Sequence, residues 1–187
     1  MRSNREIEIK MRVPGARAAR SLLRTAGFHV RQRRVFEDNV ILDTPDLALR
    51  NRGCLLRVRT AGAASTLTYK GPPAAGRFKS REELEIAISD AGMAASIFGN
   101  LGFHRVFRYQ KYRTEYSEPG AHGVVTLDET PIGCFLEIEG APRWIDRTAG
   151  KLGFRPSDYI KVSYGALYFQ TCAEQGIKPG DMVFPPT

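Results

Sequence analysis

The sequence of 187 residues is poor in the residues that bind zinc and in the apolar runs that cross membranes. Its three cysteines, Cys54, Cys134 and Cys172, are widely spaced and lack the pairing of zinc ligands. The three histidines are scattered in the same way, so we expect no zinc site. No apolar run approaches the roughly 20 residues that span a bilayer, and no charged-then-apolar leader opens the sequence. We therefore expect a cytoplasmic protein with buried or idle thiols in a reducing compartment and no attachment to a membrane.

Charge is abundant and unbalanced. Lysine and arginine number 28 against 20 aspartates and glutamates, a formal net charge of +8. This excess favours an anionic partner, whether nucleic acid, a membrane surface or a phosphorylated small molecule. The length and the lack of a clear linker predict one domain over residues 1–187, with a core of about 5–172. Residues 173–187 are assigned to a C-terminal tail, and we expect its proline-rich segment, KPGDMVFPPT, to loop over the surface.

Three segments have the pattern of amphipathic helices that end at a glycine. The glycines are Gly27, Gly102 and Gly153, and each is followed by a phenylalanine. Glycine accepts the left-handed conformation that a helix end requires, and the phenylalanine can fold back onto the last turn. We assign Trp144, the only tryptophan, to helix packing rather than to base stacking.

About eight other stretches have the pattern of strands, and turn residues separate them. Asp43 and Asp46, in the segment DTPD, are interpreted mainly as turn and cap residues. So many strands between few helices favour an antiparallel sheet over βαβ units. The strand-like stretches are EIEIKMRV, VRQRRVFEDNVIL, CLLRVRT, STLTYKG, REELEIAI, RVFRYQKYRTEY, HGVVTLDE and GCFLEIEG.

One face of the predicted sheet carries formal charges. In EIEIK, the period of two places Glu6, Glu8 and Lys10 on one face and Ile7 and Ile9 on the other. The same alternation recurs on the later strands. With Lys161 added, the cations of this face are Lys10, Arg57, Arg59, Lys70, Arg81, Lys111, Arg113 and Lys161. The acids are Glu6, Glu8, Glu83, Glu85, Asp128, Glu137 and Glu139.

Two arrangements are compatible with this charged face. It could be a solvated surface of cross-strand ion pairs, each of which contributes little to stability. Alternatively, it could line the inside of a barrel. If the helices cover the apolar face, the charged face must point either to open solvent or into such a barrel. The residues alone leave this choice open.

The motifs of these strands, in their order, resemble those of the CYTH superfamily, the triphosphate tunnel metalloenzymes. EIEIK resembles the ExExK signature, and LDTPDLALRNRGCLLRVR resembles the DTPD…L…G…LRxR segment. That superfamily includes class IV adenylyl cyclases, thiamine triphosphatases and inorganic triphosphatases. The resemblance runs from residue 6 to about 170, because later family motifs resemble LTYKGP, REELE, KYR, LDETPIGCFLEIEG and YIKVSYGAL.

The resemblance implies an α+β fold in which eight antiparallel strands form a closed barrel, or tunnel, with helices packed outside. The charged face would then line the tunnel. Glu6 and Glu8 on the first strand and Glu137 and Glu139 on the last would hold one or two Mg²⁺ or Mn²⁺ ions, with Asp128 or Glu83 as helpers. These hard cations prefer carboxylate and phosphate oxygens.

The cations of the tunnel would bind the triphosphate. Arginine grips phosphate oxygens with two donors, and lysine supplies a point charge. Lys10 would lie between the metal carboxylates and the phosphates, where its role could be substrate binding or proton management. Glu6, Glu8 and Lys10 are the expected catalytic residues. The substrate-binding set is Lys10, Arg57, Arg59, Lys70, Arg81, Lys111, Arg113 and Lys161. The roles of Arg81 and Glu85 stay open. Ser163 and Tyr164 are expected to be structural and to steer Lys161 towards the tunnel end.

Three functions follow from these expectations. The first is metal-dependent hydrolysis of a small triphosphate, such as inorganic triphosphate, thiamine triphosphate or a nucleoside triphosphate. The second is a class IV adenylyl cyclase, which makes cyclic AMP and pyrophosphate from ATP and must also hold the nucleoside in place. The third is a non-catalytic binder of polyphosphate, nucleotide or RNA ends, which would not need seven acids. We expect a triphosphate or nucleotide as partner and no specific nucleic acid. Monomer and homodimer both stay possible.

Overall fold

A computed structural model describes residues 5–186, in which eight antiparallel strands close into a barrel. The barrel order is β1-β5-β4-β3-β2-β6-β7-β8. Within residues 5–186, no helix is long and apolar enough to cross a membrane. The strands are β1 (Arg5–Val13), β2 (His29–Asp43), β3 (Leu55–Ala61), β4 (Ala64–Lys70), β5 (Lys79–Ile88), β6 (His104–Ser117), β7 (Val124–Thr130) and β8 (Gly133–Glu139). The helices are α1 (Ala16–Thr25), α2 (Ala48–Asn51), α3 (Ala91–Asn100), α4 (Pro142–Lys151) and α5 (Tyr164–Gln175), with a 3₁₀ turn at Pro156–Asp158.

The predicted fold class is confirmed, and the choice left open by the sequence is settled in favour of the barrel. β1 pairs with β8 on one side and with β5 on the other, which closes the sheet on itself. Closure leaves an inner and an outer face, and the period of two sends charged side chains inward and apolar ones outward.

The apolar outer face is covered by helices in two places. A core under α1 and α4 includes Ile9, Leu127 and Ile138, each at most 1% exposed. A second core, around Leu56 and Val58, lies under α2 and α3. A third cluster, the interior cluster, contains Tyr109, Phe135, Tyr164 and Met182, with Ile160 packed against it.

The three predicted helix ends are confirmed. Gly27, Gly102 and Gly153 have φ angles of 79°, 88° and 81°, in the region that favours glycine. In each case the amide of the following phenylalanine donates a hydrogen bond of 2.9 Å to a carbonyl of the preceding helix. Asp43 also acts as the predicted cap, since it accepts from the backbone amides of Leu49 and Arg50 at the start of α2.

The prediction that the tail loops over the surface is wrong around Met182. β6 pairs with β7 only from Tyr112 onward, so the earlier part of β6 has a free edge on that side. The tail occupies this edge: the Met182 amide donates to the Arg108 carbonyl, and its carbonyl accepts from the Gln110 amide, each at 2.9 Å. Met182 is 1% exposed and packs beside Tyr109.

The helices do not cover the whole outer face. Leu84 and Ile86 on β5 point outward as the alternation predicts, but they are 56% and 60% exposed. The core under α2 and α3 includes Ile88, at the end of β5, but neither Leu84 nor Ile86. The prediction that helices cover the apolar face therefore does not hold at Leu84 and Ile86.

Candidate active site in the tunnel

The inner face of the barrel surrounds a cavity of about 770 Å³. Most of the residues that the sequence predicted for the site line this one cavity, because their strands project alternate side chains to the same interior. The predicted residues that line it are Glu6, Glu8, Lys10, Arg57, Arg59, Lys70, Arg81, Glu83, Lys111, Arg113, Glu137 and Glu139.

Lys10 and Glu137 form a buried ion pair in the interior. They are partners in the β1–β8 register, and their charged atoms lie 2.5 Å apart. Burial would lower the pKa of Lys10, but Glu137 raises it above the ordinary value. Burial likewise opposes ionisation of Glu137, yet Lys10 and Arg113 hold its pKa well below the usual range. Both groups are therefore charged at neutral pH.

Asp128 fixes the cations on the neighbouring wall and does not line the cavity. It is fully buried and accepts from Lys111 at 2.9 Å and from Arg113 through two bonds of 2.7 and 2.6 Å. The Tyr164 hydroxyl donates a further bond of 2.7 Å. With its oxygens engaged in this way, Asp128 has no open position for a metal, so the geometry argues against its predicted role as a metal helper.

A second group of charges lies where β1 meets β5. Lys70 binds both oxygens of Glu6 at 2.7 Å and approaches Glu83 at 2.9 Å. Burial opposes ionisation of Glu83, and Lys70 lowers its pKa. Arg81 lies 3.7 Å from Glu6. These contacts bring together one predicted metal ligand, one predicted helper and two predicted phosphate-binding cations.

A third group of charged residues in the cavity contains the two arginines of β3. Arg57 donates to Thr68 at 3.1 Å and lies 3.5 Å from Glu85. Arg59 donates to Asn39 at 3.0 Å. In the described chain, the buried Nε atoms of Arg57 and Arg81 have no acceptor. Buried donors that lack a partner are costly and mark a place where an anion would be stabilised.

Two acids of the site face each other without an intervening cation. Glu8 and Glu139 are partners in the β1–β8 register, and like charges directly opposite on a sheet destabilise it. Partial burial, followed by repulsion from Glu6 and Glu8, raises the pKa of Glu139 to about 7. Glu139 lies at the end of β8, where its side chain is partly exposed to solvent.

These acids fit a divalent cation by their chemistry, although they are not arranged as a finished site. Within residues 5–186, no three acidic, histidine or cysteine side chains converge as metal ligands do. Glu6 is bound by Lys70 and Glu8 by Lys79. A hard cation would relieve the repulsion around Glu139 and would replace these lysines as the partner of the carboxylates.

The structure does not bring Lys161 into the tunnel. Its neighbour Ile160 pairs with Lys10 of β1 and packs into the interior cluster, so alternation turns Lys161 outward. There its Nζ donates to the Gly76 carbonyl at 3.3 Å. The predicted role of Lys161 in substrate binding is therefore corrected.

Ser163 and Tyr164 were predicted to be structural and to steer Lys161; both line the cavity, and neither contacts Lys161. Ser163 caps α5 and accepts from the Ala166 amide at 3.2 Å. The ring of Tyr164 lies under Lys10, with Nζ 4.3 Å from the ring centroid. Tyr164 therefore positions Lys10 and Asp128 inside the barrel.

Sequence reasoning missed several members of the site. Lys79 pairs with Glu8 and lines the cavity. Glu37 lies 3.5 Å from both Arg59 and Lys111. Alternation of polar residues in the segment FEDN could have found Glu37, since it shares a face with Asn39.

One end of the cavity is apolar, which the sequence motifs did not indicate. Leu47, Val106, Phe107 and Phe169 line it, and the guanidinium of Arg50 lies 5.3 Å from the Phe169 ring centroid. Leu47 has φ 58°, which is uncommon for a residue other than glycine. This conformation follows the turn of the DTPD segment and is part of the cavity wall.

The comparisons with known proteins agree with this geometry. A family model described as the CYTH domain matches residues 4–146. The chain therefore belongs to the CYTH domain family, which confirms the resemblance seen in the sequence. A relative from Methanocaldococcus jannaschii, named a putative adenylate cyclase, is 30% identical over 134 residues, which cover 72% of this chain and 75% of the relative.

Solved structures share the fold. A protein from Pyrococcus horikoshii superposes with a TM-score of 0.73 at 25% identity and covers 87% of this chain and 98% of its own. A Hippeastrum protein, described as a putative adenylyl cyclase with a dominant triphosphatase activity, gives a TM-score of 0.67 at 20% identity. That match covers 89% of this chain and 95% of the Hippeastrum protein, and it shows the fold alone.

Proposed function

We propose that the protein is an enzyme that hydrolyses a phosphoanhydride bond of a small triphosphate in the tunnel, with Mg²⁺ or Mn²⁺. One observation carries this proposal: seven predicted phosphate-binding cations and five predicted metal-binding glutamates line a single cavity of about 770 Å³. Cations alone would suit a binding module. The combination of cations and acids suits a triphosphate that arrives with its metal.

The cations support recognition of the triphosphate chain. Burying about four phosphate charges without compensation would be very costly. Arg57 and Arg81 each hold a buried Nε donor that lacks an acceptor within residues 5–186. Lys111 and Arg113 are held in place by Asp128, so little conformational entropy is lost when they bind phosphate oxygens.

The metal would be held by Glu6, Glu8 and Glu139, with Glu83 nearby. When bound, a divalent ion of this kind polarises phosphoryl oxygens and activates an attacking water. Glu137, the fourth predicted ligand, is engaged by Lys10 and Arg113. It would have to release them before it could take part, so we assign it first to positioning Lys10.

The side chains of the tunnel would then orient the triphosphate and stabilise the charge that develops on it. Attack of water on the terminal phosphorus breaks its bridging P–O bond and gives orthophosphate and the remaining diphosphate. Arg57 and Arg113 would stabilise the negative charge that develops on the leaving phosphates. Lys10, whose raised pKa keeps it protonated, would bind phosphate oxygen and would not act as a base.

A class IV adenylyl cyclase is the second candidate, and one observation favours it. The apolar end of the cavity, with Phe107 and Phe169, offers room and contact area for an organic group such as a nucleoside. The name of the Methanocaldococcus relative points the same way. We rank hydrolysis first because the described polar side chains of the cavity suit phosphates and metal, and none is an evident reader of a base.

Product analysis separates the two candidates. The protein is incubated with inorganic triphosphate and, separately, with ATP, in the presence of Mg²⁺ or Mn²⁺, and the products are resolved by chromatography. We expect orthophosphate as the main product, with inorganic triphosphate used at least as well as ATP. Stoichiometric cyclic AMP and pyrophosphate from ATP, with inorganic triphosphate left uncleaved, would make the protein a cyclase.

A further inference from the structure

The net positive charge of the protein is concentrated in one segment. Residues 9–36 contain eight lysines and arginines and no acid, which leaves 20 cations and 20 acids for the rest of the chain. This segment therefore accounts for the whole formal charge of +8. Lys10 belongs to the tunnel, and Arg12 donates to the Ile132 carbonyl. The tunnel thus explains only a small part of this charge.

The other six cations are arginines exposed on the outside of the barrel, on α1 and the first half of β2. Among the described residues, Glu129 is the one acid that pairs with them: Arg20 lies 2.8 Å and Arg34 2.9 Å from its carboxylate. The side chains of the other four make no hydrogen bond or ion pair with any residue that the structure describes. The six, which we call the arginine face, are Arg17, Arg20, Arg24, Arg31, Arg33 and Arg34.

Strand β2 is distorted in a way that exposes its arginines. Its register with β6 shifts between Val30 and Gln32 and again between Gln32 and Val35. Such bulges bend a strand and re-aim its side chains. Arg31 and the adjacent Arg33 and Arg34 are all exposed, whereas strict alternation would turn one of two neighbours inward. The local fold therefore presents these cations to solvent.

The arginine face borders an open groove and an aromatic cluster. A groove of about 660 Å³ lies between α1 and β2, lined by Arg17 and Arg24 among others. On the same outer surface, the rings of Phe36 and Tyr112 lie 5.1 Å apart, and Phe36 is 38% exposed. The guanidinium of Arg34 stacks 3.4 Å from the Tyr112 ring centroid. Arginines and aromatic rings thus form a continuous surface.

We propose that this surface binds single-stranded nucleic acid without sequence preference. Proteins that do so combine a basic groove, which follows the phosphate backbone, with aromatic rings on which bases stack. All the cations of the face are arginines, which bind phosphate oxygens with two donors. A groove suits a flexible strand better than a flat membrane. The exposed ring of Phe36 adds a contact that inorganic polyphosphate, which has no bases, would not use.

The test measures fluorescence anisotropy of labelled U20 and dT20 oligonucleotides, each with a 5′ hydroxyl, against the full protein over a range of salt concentrations. Arg31→Gln/Arg33→Gln removes two unpaired cations of the face. We expect binding about 10-fold weaker or more. The slope of log K against log salt should fall by about 1.4, since each contact to a single strand contributes about 0.7. As a control, Arg52→Gln/Lys178→Gln removes the same charge from exposed positions elsewhere. It should change the oligonucleotide affinity and the salt slope less than Arg31→Gln/Arg33→Gln does.

Two further variants test whether the ligand is an oligonucleotide or polyphosphate, and whether it binds to the arginine face or in the tunnel. Phe36→Leu should weaken oligonucleotide binding several-fold and leave binding of a 20-unit polyphosphate unchanged. Arg57→Gln, in the tunnel, should leave oligonucleotide binding unchanged. The proposal is overturned if wild-type protein does not bind the oligonucleotides, or if Arg57→Gln abolishes binding while Arg31→Gln/Arg33→Gln does not. It is also overturned if polyphosphate or anionic vesicles bind through these arginines while the oligonucleotides do not.

Discussion

Lys10 and Glu137 face each other across β1 and β8, with their charged atoms 2.5 Å apart in a site almost closed to water. The same relationship recurs along the inner wall, where cations are held by carboxylates. The tunnel therefore neutralises much of its own charge when no triphosphate is bound. When a triphosphate and its metal bind, the phosphate oxygens would become the partners of the cations, and the metal would become the partner of the carboxylates.

Arg57 and Val58 are adjacent on β3 and point to opposite faces, which makes them a matched pair for mutation. Arg57→Ala should weaken binding of inorganic triphosphate about 10- to 100-fold, because it removes charge-assisted donors from a desolvated anion. Val58→Ala should leave affinity unchanged and lower the free energy of unfolding by about 1–2 kcal/mol, through lost packing under the helices. Calorimetric titration and chemical denaturation measure the two effects. Unchanged affinity in Arg57→Ala would contradict a phosphate-binding role for this wall.

Loss of a single acid should affect activity and stability differently at two positions. Glu6→Gln should reduce turnover about 100-fold or more while the protein stays folded, because Glu6 is a proposed metal ligand. Glu137→Gln should reduce turnover and also lower stability by about 3 kcal/mol, because it leaves Lys10 buried without its partner. Steady-state kinetics and thermal melting are compared with Lys161→Gln, which lies outside the tunnel. Wild-type turnover in Glu6→Gln would contradict the metal assignment.

Metal affinity should depend on pH through Glu139. Its pKa of about 7 lies above the ordinary value, so below pH 7 a metal must displace a proton from this carboxyl group. We therefore expect Mn²⁺ to bind more tightly at pH 8 than at pH 6 and to release protons at the lower pH. Titration calorimetry in two buffers of different ionisation enthalpy measures both. Glu139→Gln should weaken binding and flatten its dependence on pH. If the Mn²⁺ affinity of Glu139→Gln depended on pH as steeply as that of the wild type, groups other than Glu139 would cause the pH dependence.

Glu37 should couple stability to acid. Burial opposes its ionisation, but Lys111, Arg113 and Arg59 lower its pKa from 4.5 to about 2. Because the folded-state pKa is depressed, this contribution is complete above the unfolded pKa and is lost as pH falls from about 4.5 to 2. It amounts to about 3 kcal/mol. Urea denaturation of the wild type and Glu37→Gln should show the smaller loss in the variant over this range. Parallel pH profiles would contradict the assignment.

The alternation of side chains made much of the site predictable from sequence. Arg57 and Arg59, for example, line the cavity because every second residue of a barrel strand points inward. Pairing partners were not predictable in this way. That Glu8 lies opposite Glu139, while Lys10 lies opposite Glu137, depends on the register of β1 and β8, which are far apart in sequence.

The errors also have physical causes. Lys161 was expected in the tunnel, but its segment adds a single bridge to β1 that places Ile160 inside. Leu84 and Ile86 belong to the apolar face that helices were expected to cover, but no sequence pattern fixes how far α3 reaches over the sheet. The path of the tail depends on the free edge of β6, which appears only once the barrel has closed.

The proposed function requires that a divalent metal and the charged tunnel together hydrolyse a small triphosphate. The most direct measurement is the initial rate of orthophosphate release from inorganic triphosphate by the wild-type protein. The rate is taken with Mg²⁺ or Mn²⁺, and then with chelator in excess of the metal. We expect orthophosphate release with metal and a rate near the uncatalysed background with chelator. An undiminished rate in excess chelator, or no release with either metal, would contradict the proposed function.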